Sequence, residues 1–131
     1  MANEAVCIET PTKFARFTCA DGTEIAIGTI LYLSGDYTVS ASSAVDQPFA
    51  GIAWEEKTAS DGITEITVAL DGVWDMLTDA GSDNVGAFVA IVGANTVGTA
   101  DAGDLLNGAI VGYLEEAAGN AEVCRVRVTK Y

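Results

Sequence analysis

Hydrophobic and polar residues alternate along this chain in short runs, and turn residues separate the runs at roughly ten-residue spacing. A period of two is the pattern of a half-buried β-strand, whose successive side chains point to opposite faces. Phe14-Ala-Arg-Phe-Thr18 reads as a short strand that ends at Asp21-Gly22. Residues 25 to 33 supply β-branched and aromatic side chains, and Ser34-Gly35-Asp36 then turns the chain into Tyr37-Thr-Val-Ser40, which predicts a hairpin. Pro48 introduces residues 49 to 56, where Gly51 predicts a bulge or a close backbone approach. Asp61-Gly62 and Asp71-Gly72 turn the chain into two further runs, 63 to 70 and 73 to 76. Later runs cover 86 to 92, 95 to 99, 109 to 115 and 121 to 129, with turns at Asn107-Gly108 and Gly119-Asn120. A short helix is expected near residues 100 to 106, capped by Thr99 or Asp101 and opposed by Gly103.

The second half of this pattern repeats the first. Gly28-Thr-Ile-Leu-Tyr-Leu-Ser-Gly35 followed by Thr38-Val39 returns 58 residues later as Gly86-Ala-Phe-Val-Ala-Ile-Val-Gly93 followed by Thr96-Val97. Ile66, Val68 and Leu70 alternate with polar or small residues, as Cys124, Val126 and Val128 do. Each copy carries an apolar strand face that it cannot bury alone, so the two are expected to pack on each other and share one core. The expected fold is all-β: a small β-barrel or β-sandwich built from two similar strand units, with an extended N-terminal arm. Residues 1–20 form the arm and 21–131 a single β domain, with repeat units at about 28–76 and 86–129.

Charge narrows the partners. Of 19 acidic residues all but Glu4 and Glu9 lie between Phe17 and Cys124, where Lys57 is the only base. The other five bases sit near the ends: Lys13 and Arg16, then Arg125, Arg127 and Lys130. A net charge of −13 repels phosphate backbones and anionic lipids, so neither nucleic acid nor membrane is an expected partner. Solubility explains such acidity, and adaptation to high salt is its rival. No apolar run approaches a membrane span. The first residues lack a basic stretch followed by an apolar one, so synthesis in a cytoplasm is expected.

The chemistry of most enzymes is missing. There is no histidine, which removes the commonest general base and metal ligand. No phosphate-cradling glycine motif is present. Cys7, Cys19 and Cys124 are widely spaced and odd in number, which suits neither a disulfide framework nor a zinc site, and Cys124 reads as a core residue. Asp71, Asp75, Asp79 and Asp83 recur every four residues and could line a helix face for Ca²⁺, but Gly72 and Gly81 oppose that helix, and the carboxylates read as separate turn residues. Glu55-Glu56 and Glu115-Glu116 close equivalent strands, either as a carboxylate pair across a cleft or as solvated strand ends. Trp54, Trp74, Tyr32, Tyr37 and Phe49 could form a sugar-binding surface or belong to core and interface. Arg125 and Arg127 alternate with Val126 and Val128, as on the solvent face of an edge strand, or serve docking. No catalytic role and no cofactor is expected.

The runs G-T-I-L-Y-L (28 to 33), P-F-A-G-I-A (48 to 53), E-I-T-V-A-L-D-G-V-W-D-M (65 to 76), G-A-F-V-A-I-V-G (86 to 93), G-A-I-V-G-Y (108 to 113) and V-C-R-V-R-V (123 to 128) resemble the capsid cement, or head decoration, proteins of tailed phages and related viruses. The resemblance covers about residues 14 to 131. It implies a non-enzymatic virion protein on the outer capsid surface that assembles with itself as a homotrimer and clamps neighbouring major capsid protein subunits. It further implies an N-terminal arm that adds to the capsid contact, for which Ile8, Pro11, Lys13, Phe14, Arg16 and Phe17 are the candidate residues. The alternative from another class is a carbohydrate or host-surface binding β module displayed on a virion, with Trp54 or Trp74 in its platform.

Overall fold

The computed structural model describes residues 3–79, 82–119 and 121–129. Lys130, Gly81 and Asn120, each part of a sequence expectation above, lie outside them. In chain order the elements are β1 (Val6–Glu9), β2 (Phe14–Thr18), β3 (Ile30–Gly35), β4 (Thr38–Ala41), β5 (Phe49–Ala53), β6 (Glu65–Ala69), β7 (Asp71–Thr78), β8 (Ser82–Asp83), β9 (Phe88–Gly93), β10 (Thr96–Thr99), α1 (Ala102–Asn107), β11 (Ile110–Leu114), β12 (Ala118–Gly119) and β13 (Glu122–Thr129).

Two five-stranded barrels follow one another. Strands β2-β4-β3-β5-β6 close the first. Strands β7-β10-β9-β11-β13 run in the same connectivity and close where β13 pairs with β7. Even the one parallel contact is repeated: Thr18 opposes Thr38 in the first barrel, and Leu77 opposes Thr96 in the second. Closure removes the open edges that two half-buried sheets would present, which is why the strand units form barrels rather than a sandwich.

The repeat holds at the level of register. Gly51 and Gly112 occupy the same place in β5 and β11, and at each a Cβ would run into the backbone carbonyl of the neighbouring strand, that of Ala69 or of Arg127. The close approach expected at Gly51 is therefore built twice, with ladder slips beside each glycine. Three extra residues between β10 and β11 form α1. Asp101 caps this helix, its carboxylate accepting from the Asp104 N–H while the Asp104 carboxylate accepts from the Asp101 N–H, and Gly108 ends it with φ 75°.

The core is only partly shared. Alternate residues of the first barrel face opposite ways. Leu31, Ala53 and Val68 join Cys19, Ile25, Val39, Ala50 and Ile66 in a cluster confined to that barrel. Their chain neighbours Ile30, Ile52 and Ala69, with Phe49, pack into a larger cluster with Trp74, Met76, Val89, Ile91 and Val126 of the second barrel. The first barrel thus fills a lumen of its own, and its outer face packs into the cluster that also fills the second barrel, where Val89 and Val126 stand at the positions of Leu31 and Val68. The expectation of one common core is corrected to that extent.

Residues 1–20 divide between the two barrels. β1 pairs antiparallel with the first half of β7, and β2 is a wall of the first barrel. Between them Asp71 accepts hydrogen bonds from the Thr12 N–H (2.7 Å), the Thr12 hydroxyl (2.6 Å) and the Lys13 N–H (3.1 Å). Burial alone would raise the Asp71 pKa, but these bonds outweigh it and hold the carboxyl below its usual value. Lys57, 1% exposed, serves as an internal cation under the first barrel: its ammonium donates to the Asp21 carbonyl (2.6 Å), the Thr58 carbonyl (3.1 Å) and the Asp61 carboxylate (3.2 Å). Three loop oxygens thus share one buried charge.

Candidate interaction surfaces

The residues proposed from sequence for a capsid contact fall into two groups. Ile8 and Phe14 are exposed, as are Lys13 and Arg16, whereas Phe17 is half-buried against the first barrel's core and Pro11 is buried. Arg16 is held by the walls of its own barrel, its guanidinium reaching Glu55 (3.3 Å), Glu65 (3.4 Å) and the Thr67 hydroxyl (2.7 Å). Phe14 stacks at 5.4 Å on Trp54, which meets Trp74 edge-on at 6.0 Å. Around this aromatic row the surface is apolar. Ala5, Val6, Cys7, Ile27, Trp54 and Trp74 line one shallow concavity, with Val6 61% and Ile27 53% exposed. Among the described residues β1 stands at the end of its sheet, with β7 as its strand neighbour. Val6 and Ile27 were missed by the sequence reading; alternation alone does not say which of two apolar faces a barrel turns outward.

A second apolar surface lies on the far barrel. Phe88, Ala100, Asp101, Ala102, Leu105 and Ile110 line a cleft of about 420 Å³, and Leu106 beside it is 87% exposed. The signal for it was the adjacent pair Leu105-Leu106 in a short capped helix, one more apolar side chain than such a helix can bury. Asp104 is the buried residue of this helix's first turn; desolvation, with the nearby charges of Asp101 and Asp46, pushes its carboxyl up. A third concavity, at Phe17, Leu33, Gly35, Asp36 and Tyr37, surrounds the β3–β4 hairpin, whose Tyr37 is 82% exposed.

Three of the four candidate glutamates are engaged in holding strands, and Glu56 is exposed past the end of its strand. Glu55 accepts from the Thr67 N–H (2.7 Å), the main cause of its lowered pKa. Glu115 binds Arg127 at 2.7 Å, and Glu116 accepts from the Arg125 N–H. Arg127 also reaches Glu9 of β1 (3.2 Å), and Arg125 lies 3.8 Å from Asp75. The strand that carries both arginines pairs with β11 on one side and β7 on the other, so the reading of an edge strand is corrected. Asp71 and Asp75 belong to strand β7 rather than to a helix face, and Asp79 is bonded through its N–H to the Val97 carbonyl. Trp74 is 1% exposed and its Nε1–H donates to the Asp71 carbonyl, which takes it out of any sugar platform. Burial raises the thiols of Cys7, Cys19 and Cys124, so they are protonated at neutral pH. Among the described residues no group of three metal-ligating side chains converges, and no helix is long and apolar enough to cross a membrane.

No protein-family model and no curated protein matches the chain. Among solved structures, its fold is similar to the N base of the head fiber protein gp8.5 of bacteriophage phi29. The likeness has a TM-score of 0.57 at 16% sequence identity and covers 90% of this chain and 96% of that one.

Proposed function

We propose that this protein is a structural component of a phage virion, seated on the outer surface of the head and bound to the major capsid protein. The observation that carries the reading is the likeness to a head-fibre base over nearly the full length of both chains. The surface chemistry agrees with it: apolar faces around Val6, Ile27 and Phe14 stand open, while Glu55, Glu115 and Glu116 are engaged in ion pairs and backbone hydrogen bonds. Such a subunit works as cement. It adds interface area across neighbouring capsid subunits and stabilises the assembled particle by mass action.

The capsid-facing side is the β1 edge with Val6, Ile8, Phe14 and Ile27, where a strand of the partner can add to the outer side of β1. The subunit acts as a homotrimer in this reading. Mass spectrometry of gradient-purified particles tests it: the protein is expected to sediment with the major capsid protein at a constant ratio across the peak. Recovery in the soluble fraction of the lysate alone contradicts the reading.

A further inference from the structure

The two barrels of one chain meet through a contact that is not two-fold. The tip of the β9–β10 hairpin, Asn95, is fully buried against the first barrel. Its N–H donates to the Ser42 hydroxyl (2.9 Å), and its Oδ1 accepts from the Ile30 N–H (2.9 Å). The residues 58 positions away on each side of this contact have the opposite fate. Tyr37, the tip equivalent to Asn95, has the same left-handed backbone (φ 54° against 49°) but is 82% exposed. Phe88 and Ala100, equivalent to Ile30 and Ser42, line the 420 Å³ cleft, and Phe88 is 50% exposed where Ile30 is fully buried. A two-fold contact would have covered both hairpins and both receiving sites. This one covers one of each.

We infer that a second copy of the chain completes the pattern: the Tyr37 hairpin of one copy seats in the Phe88–Leu105–Ile110 cleft of the next, extending between chains the interface that joins barrels within one. The two sides have changed in step. In the internal contact a polar tip, Asn95, meets a hydroxyl and a backbone N–H. In the open pair the tip is aromatic, the receiving hydroxyl is replaced by Ala100, and α1 adds the apolar wall of Leu105. An aromatic side chain held in the left-handed region on an exposed tip is also strained, which a structural turn gains nothing from. The contact is heterologous, so it closes into a ring when successive copies rotate back on themselves and otherwise runs on as a filament. Asp36 beside the tip and Asp101 at the cleft rim repel each other, so salt favours the contact.

The inference is read on the purified protein and does not depend on the virion reading. In a Cys7→Ser background, Asp36→Cys chains are mixed with Ala102→Cys chains under mild oxidation, which places a thiol beside the tip and one in the cleft while Tyr37 and Leu105 are kept. Cross-linked dimers are expected in the mixture and not in either variant alone. Both replaced side chains are exposed, so the barrels are left intact. In an otherwise unchanged chain, Leu105→Asp is expected to weaken association in sedimentation about tenfold or more. Cross-linking of the mixture no greater than that of the single variants overturns the inference, as does an Asp36→Cys chain that links chiefly to itself.

Discussion

Asp71 is the residue on which the N-terminal segment is fastened. It sits where β6 ends and β7 begins, and with one carboxylate it receives Thr12 and Lys13 while its carbonyl receives the Trp74 indole. Its folded pKa lies below the unfolded value of about 3.9, so its stabilising charge is fully present above that value and is lost as pH falls through the folded one. Asp71→Ala is therefore expected to cost about 1–2 kcal/mol at neutral pH in chemical denaturation. As pH falls through the folded pKa the charge-dependent part of that gap closes. A gap that is unchanged by acid means that the carboxylate charge does not hold the segment. The recurrence of aspartates every four residues was visible in the sequence, but its meaning was not. The carboxylates read as separate turn residues, whereas Asp71 and Asp75 lie in strand β7 and the Asp71 carboxylate is bonded to Thr12, 59 residues earlier in the chain, a distance that no local pattern encodes.

At the scale of elements the glycines at strand centres carry more than the turns do. Gly112 stands where a Cβ would meet the Arg127 backbone, and a β-strand cannot yield there without opening the β11–β13 ladder. Gly112→Ala is expected to destabilise by about 2–3 kcal/mol in denaturant titration, whereas Gly22→Ala, at a turn with open space around it, stays within about 0.5 kcal/mol. Equal costs at the two positions would mean that close approach is not what fixes Gly112. Much of this scale was legible. The alternating runs gave most of the strands, Gly51 announced its bulge, and Asp101 announced the helix it caps. The strand that opens each barrel was harder to place as part of the repeat, because β2 and β7 match in register but not in residue type: Phe14, Arg16 and Thr18 stand where the second barrel has Val73, Asp75 and Leu77. Barrel closure was also hidden, since it depends on which first and last strands meet, and alternation is the same in an open sheet.

The whole molecule is a tandem of like barrels joined by an unlike contact, with apolar surface left open at the β1 edge and at the α1 cleft. Its net charge of −13 makes copies of such a molecule repel one another while those faces stay uncovered. The duplication could be read from the sequence; which outer faces pack together and which remain open could not, because both are apolar in the same alternating way. An open face centred on Val6 and Ile27 is the proposed capsid contact. Purified protein should therefore be titrated onto particles stripped of it, beside a Val6→Asp variant whose exposed position leaves the fold unchanged. Saturation at a fixed number of copies per major capsid protein, with the variant bound at least about tenfold more weakly, is the predicted result. Particles that take up neither protein, or both without saturation, would contradict it.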